Sequence, residues 1–219
     1  MGTMAEHERD KRDALRPFHR RFFQRDPRSV ARELLGCWLW TDTIDGLTGG
    51  VIVETEAYLA EGDSACHAAR GETRGNRAMF GPSGHAYVYV IHARHCFNIV
   101  TEGIGIGSAV LIRALEPRWG CSLMEQRRGR TNAKELTSGP ARLCEALGIT
   151  RDHDGRDLLA PGTTDLGLAK PPSHQRLELG PILSTPRIGV TSAHELEYRY
   201  VLAGSRYLSR SLTAKPRKQ

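Results

Sequence analysis

Val51-Ile52-Val53-Glu54-Thr55-Glu56-Ala57-Tyr58 reads as a β-strand with two acids on one side. Its β-branched residues favour extended backbone. Side chains on a strand alternate faces, so Ile52, Glu54, Glu56 and Tyr58 share one face, and Val51, Val53, Thr55 and Ala57 form an apolar face suited to a core. Acids at i and i+2 stand about 7 Å apart. Like charges that close tend to raise one pKa, which suits a general acid or base. A solvated strand face with two ordinary carboxylates explains the pair equally well at this point.

Working outward, Asp45-Gly46 reads as a turn between a strand over 37–44 and one over 50–58. Upstream, Asp26 is a good N-cap, Pro27 fits the first helical position and Gly36 the stop, with Val30, Ala31, Leu34 and Leu35 as the apolar stripe. Downstream, strands are predicted over 86–91 and 109–115. A helix should follow Pro117, and another should run from Ser138-Gly139-Pro140 to Gly148. Pro- and Gly-rich loops are expected to about residue 186, then strands over 187–191 and 198–202. Hairpins and separated helices without βαβ alternation predict an α+β domain with a mostly antiparallel sheet, spanning residues 16–210. Residues 1–15 are charged and aperiodic and are expected to be disordered, and 211–219 to form a basic tail.

The chain has 219 residues, 39% hydrophobic and 26% charged, as in an ordinary globular protein. No apolar run approaches the roughly 20 residues of a membrane helix, and the charged N-terminus is unlike a secretory signal. Five scattered cysteines, with no C-x-x-C, argue for a reducing compartment and against a disulfide framework. The formal charge is +6. Arginines cluster at 16, 20, 21 and 25, at 70, 74 and 77, and at 127, 128 and 130. A polyanion such as nucleic acid suits this balance, although each cluster alone is also an ordinary solvated face.

Other candidates lie in the strands. Arg113, inside Ala109-Val110-Leu111-Ile112-Arg113-Ala114-Leu115, must snorkel or pair with an anion: Glu54, Glu56 or a substrate phosphate. Tyr87 and Tyr89 share a face that could hold a flat heterocycle, or simply pack. Ser138, Gly139 and Arg142 open a helix whose free N–H groups could seat a phosphate, or only cap it. Cys66-His67 and His92-Ala93-Arg94-His95-Cys96, with Glu54 and Glu56, could instead assemble a catalytic metal centre. No H-E-x-x-H context supports that reading.

The Val53–Tyr58 stretch, taken with Asn76-Arg77-Ala78-Met79-Phe80, Tyr87-Val88-Tyr89, Asn98-Ile99, Leu111-Ile112-Arg113-Ala114-Leu115-Glu116-Pro117 and Ser138-Gly139-Pro140, resembles the alkyladenine (3-methyladenine, methylpurine) DNA glycosylase family. The motifs run in order from about Phe22 to about Tyr207. The resemblance implies a curved sheet with surrounding helices and a protruding β-hairpin, and a monomer acting on double-stranded DNA that contains damaged purines. It implies Glu56 as the base that holds a water and Arg113 beside it. Tyr58, His67, Tyr89, Asn98 and Leu111 match residues around a flipped base, and the Ile188 backbone matches one that helps hold the water. Met79 and His92 fall at DNA-contacting positions, His92 where the family usually has a wedging tyrosine, in a hairpin that looks one residue short. Arg70, Arg74, Arg77, Ser138, Gly139 and Arg142 are the expected phosphate contacts.

The expected reaction is hydrolysis of an N-glycosidic bond, leaving an abasic site. No lysine accompanies Glu56, so a Schiff base is not suggested. No cofactor or metal is called for. The expected location is wherever the genome lies, bacterial cytoplasm and nucleoid or eukaryotic nucleus. The alternatives are a metal-dependent hydrolase and a non-catalytic nucleic-acid-binding module.

Overall fold

A computed structural model of the chain describes residues 4–160, 165–171 and 180–212. Its centre is one long strand, β3 (Gly46–Tyr58), which contains the stretch quoted above. Among the described residues the sheet holds nine strands, each paired antiparallel with its neighbours. From β3 it runs one way through β6 (Ala109–Trp119), β5 (Arg94–Val100) and β4 (Ala86–Ile91). The other way, β2 (Trp38–Thr43) lines the first half of β3, and β7 (Leu166–Lys170) and β1 (Arg16–Pro17) follow. The second half of β3 is flanked instead by β9 (Arg199–Leu202), which pairs with β8 (Ile182–Thr185). One strand thus carries two different neighbours along one edge.

Gly50 shows how closely the strands approach. A Cβ there would sit 2.2 Å from the Glu116 carbonyl oxygen, so β3 and β6 meet where only glycine fits. The register shifts at Gly49/Gly50 and again on both sides of Glu54. Such bulges bend a strand and re-aim its side chains, often beside functional sites.

The two faces of the sheet are covered differently. Val88, Phe97, Ile99, Val110, Ile112 and Ala57 belong to the main core, with helices α2 (Pro27–Leu34) and α3 (Pro140–Leu147) packed on that side. The sequence signals of both helices hold: Asp26 accepts from the Arg28 and Ser29 amides, and Gly148 ends α3 in the left-handed region. Thr55 faces this core and donates to the Ala31 carbonyl at 2.9 Å. The opposite face carries a small cluster of Cys66, Met79, Tyr87, Val100 and Ala109, with Tyr58, Phe80 and Tyr89 against it. The segment covering it holds 3-10 turns at His67–Arg70 and Arg77–Phe80. Asn76 organises that segment. It accepts from the Thr73 amide at 2.6 Å and donates to the carbonyls of His67 and Gly71.

Four expectations need correction. Residues 4–13, expected disordered, form helix α1 (Met4–Asp13), and Arg9 and Arg12 both hold Asp42 on β2. Side-chain pairing to the sheet supplies the order that local periodicity does not. The loops expected up to 186 contain β7 and β8, short strands whose pairing comes from neighbours far away in sequence. Residues 187–191 form no strand. The hairpin expected at 93–97 turns in only two residues, His92 and Ala93, both at positive φ, and Arg94 to Phe97 belong to β5. Of the predicted basic tail, residues 213–219 lie outside the described residues.

Candidate active site

Cross-strand partners in an antiparallel sheet share a face. Tyr87 pairs with Asn98, Asn98 with Leu111, Leu111 with Glu56, and Glu56 with Arg199. A single transverse row over five strands therefore gathers four predicted site positions from distant parts of the chain. One step along, Tyr89 pairs with Cys96.

The solvated-face reading of the acids is overturned, because Glu54 and Glu56 are both 0% exposed. Arg113 lies between them, donating through Nε to Glu54 at 3.0 Å and through Nη1 to Glu56 at 3.1 Å. Glu56 Oε2 also accepts from the Tyr58 hydroxyl at 2.8 Å, and Oε1 from the Ile188 amide at 2.8 Å. Burial first, and then the Glu56 charge, push the Tyr58 phenol well above its usual value, so it stays protonated and donates.

Glu54 is held more heavily. It accepts from Arg113, from Arg199 Nε at 2.7 Å, and from both the amide and the hydroxyl of Ser209 at 2.6 Å. Burial alone would raise its pKa, but Arg113, Arg199 and Ser209 outweigh it and keep the carboxyl below its ordinary value. Two acids and two guanidiniums make this buried cluster electrically balanced, as buried charges must be.

Aromatic groups stand beside the acids. The His67 and Tyr89 rings meet edge to face with centroids 4.6 Å apart, and Tyr87 lies 5.8 Å from Tyr89. His67 Nδ1 is 2.8 Å from the Tyr87 hydroxyl. Burial lowers the His67 pKa, so the imidazole is neutral at pH 7 and able to hydrogen-bond without carrying charge. Asn98 is buried and donates to the Tyr87 and Cys96 carbonyls.

The expected DNA contacts divide. Arg70, Arg74, Arg77, His92 and Arg142 are exposed, with Arg77 paired to Glu72. His92 sits at the hairpin turn beside Val90 and Ile91, which are 51% and 50% exposed. Met79 does not belong with them: it is 2% exposed, packed under the aromatic cluster, and so cannot meet DNA directly. Ser138 and Gly139 are also buried. Ser138 bridges to Ala114 on β6, and its hydroxyl accepts from Arg142 at 3.2 Å. The alternative metal donors are scattered. His92 is at the turn, Cys66 packs against Gly107, and among the described residues no three His, Cys, Asp or Glu groups are arranged to hold an ion.

Sequence reasoning missed the Asp63–Arg187 pair, Arg199 and Ser209. Arg199 offered a signal, a charge between Tyr198 and Tyr200 in an apolar strand of the same kind as Arg113.

Residues 21–206 match the family model described as methylpurine-DNA glycosylase. A protein of Rhodopirellula baltica with the provisional name 3-methyladenine DNA glycosylase is 49% identical over 195 residues, covering 86% of this chain and 81% of its own. Proteins with the same provisional name from Methanoculleus marisnigri and Carboxydothermus hydrogenoformans are 49% and 43% identical over 192 residues each, covering 96% and 97% of their own lengths. A match of this breadth, over a chain whose acids, arginine and aromatics meet in one row, has one meaning: the chain belongs to the methylpurine-DNA glycosylase family.

Proposed function

We propose that the protein flips an alkylated or deaminated purine, of the 3-methyladenine, hypoxanthine and ethenoadenine class, out of duplex DNA and hydrolyses its N-glycosidic bond. The observation that carries this reading is the buried Glu56 carboxylate, gripped by Arg113, Tyr58 and the Ile188 amide beside an aromatic cluster. A carboxylate has about four lone-pair sites, and three described donors leave one on Oε1 for a water.

The chemistry follows from that placement. Eversion costs a few kcal/mol, least for a damaged base. Tyr58, His67 and Tyr89 replace the lost stacking, worth roughly 1–3 kcal/mol per base, while Asn98 and Leu111 wall the pocket. As the C1′–N bond breaks, its electron pair leaves with the base and positive charge develops on the sugar. Glu56 stabilises that charge and takes a proton from the attacking water, which bonds to C1′. Arg113 fixes the carboxylate. An alkylated purine leaves as a neutral base, whereas hypoxanthine must gain a proton or hydrogen bonds to leave. The product is an abasic site with both strands intact. Arg70, Arg74, Arg77 and Arg142 hold phosphates, with His92 at the hairpin turn against the duplex and Ser138 and Gly139 supporting from beneath. The protein acts as a monomer, wherever the genome lies.

The test is single-turnover excision from a duplex carrying one hypoxanthine or 1,N6-ethenoadenine, read as strand breaks after hot alkali. The native chain should release the base, with full activity in EDTA. Glu56→Gln should bind the same duplex yet excise about 10²–10⁴-fold more slowly. Excision at the native rate by Glu56→Gln would remove Glu56 from this role.

A further inference from the structure

A second buried ion pair lies outside the Glu54–Arg113–Glu56 cluster. Arg187 donates to both Asp63 oxygens at 2.6 Å, and neither side chain is exposed. Arg187 Nη1 also donates to the Ala57 carbonyl at 3.0 Å, between Glu56 and Tyr58 in sequence. Its guanidinium lies over the Tyr58 ring, 4.7 Å from the centroid. Asp63 in turn accepts from the Leu59 amide, and its carbonyl accepts from the Cys66 amide just ahead of His67. Arg187 Nε is buried with no hydrogen-bond partner among the described residues.

Such an arrangement is costly for stability alone. A buried ion pair roughly breaks even against apolar packing, and an unsatisfied buried donor counts against it. What the pair does achieve is geometric. Of the three groups that donate to Glu56, two are attached to it: the Ile188 amide is the next peptide after Arg187, and the Tyr58 ring lies against its guanidinium. We infer that Arg187 and Asp63 are positioning residues, which set the Ile188 N–H and the Tyr58 hydroxyl against Glu56 and so hold the base in its working geometry. This rests on Glu56 being the base.

The remaining groups facing Glu56 are Arg113 on β6, Glu54 on its own strand, Tyr89 and Cys96 on the hairpin strands, and Arg199 opposite in register. None of these touches Arg187 through a hydrogen bond among the described residues, so its substitution addresses the two donors selectively.

The experiment compares Arg187→Lys, Tyr58→Phe and their double variant with the native chain in single-turnover excision from a hypoxanthine duplex, alongside duplex binding and thermal melting. Lysine keeps the charge but loses the fork and the flat stacking face. The chemical rate constant should fall about tenfold to a hundredfold, the scale of a misplacement near 1 Å, with lesion binding within about twofold. The loss should also be less than additive with that of Tyr58→Phe. A slower rate with full additivity would mean a merely structural pair and overturn the inference, as would a rate within about twofold of native. If Arg187→Lys does not fold, Asp63→Asn is read by the same criteria. The two readings separate cleanly, because native-rate excision by Glu56→Gln sinks the proposed base, whereas an inactive Glu56→Gln beside full additivity of Arg187→Lys and Tyr58→Phe sinks only the positioning role.

Discussion

Glu54 accepts four hydrogen bonds from three residues and has no solvent exposure. A group held below its ordinary pKa stabilises the fold in full above the unfolded value, here 4.5, and loses that contribution as pH falls through the folded value. Glu54→Gln should therefore cost about 3 kcal/mol in urea unfolding at pH 7, because it leaves Arg199 and part of Arg113 buried without a charge partner. The difference from the native chain should shrink steadily below pH 4.5, and a constant difference down to pH 3 would rule out ionisation as its source. At this scale the sequence was informative where chemistry is local. Two acids at i and i+2, and an arginine stranded among apolar residues, pointed to one another. Ser209 and Asp63 were invisible, because a serine or aspartate in a loop carries no signal until a partner 155 or 124 residues away arrives.

Elements with their own punctuation were readable and elements made by neighbours were not. Asp26-Pro27 and Pro140 with Gly148 marked two helices correctly, since capping is settled within a few residues. Strand β5 carries little strand signal of its own because Arg94 and His95, next to the turn, are polar, while its apolar residues pair further from the turn. The turn there has an energetic consequence. His92 and Ala93 sit at φ +48° and +59°, a region that costs an L-residue with a Cβ roughly 1–2 kcal/mol. Glycine relieves that strain but adds freedom to the unfolded chain, so Ala93→Gly should raise stability by up to about 1 kcal/mol, seen as a higher Tm. A lower Tm would show that the turn is held by contacts that need the methyl group.

Across the whole molecule, the sheet has one face committed to its core and the other to the buried Glu54–Arg113–Glu56 cluster and its aromatic neighbours. A +6 protein of the DNA glycosylase family should hold undamaged duplex mainly through phosphates. If Arg70, Arg74, Arg77 and Arg142 each neutralise one phosphate, the logarithm of the binding constant should fall with the logarithm of salt at a slope of about −3 to −4. A slope near −1 would mean that these side chains do not meet the backbone. The bond from Ser209 to Glu54 joins residues 155 apart in sequence, and it has a consequence for biosynthesis. A polypeptide still emerging from the ribosome has both acids long before it has Arg199 or Ser209. Until those late residues dock, Glu54 lacks three of its four hydrogen bonds and the two acids share a single guanidinium, so the balanced cluster is assembled only late in synthesis.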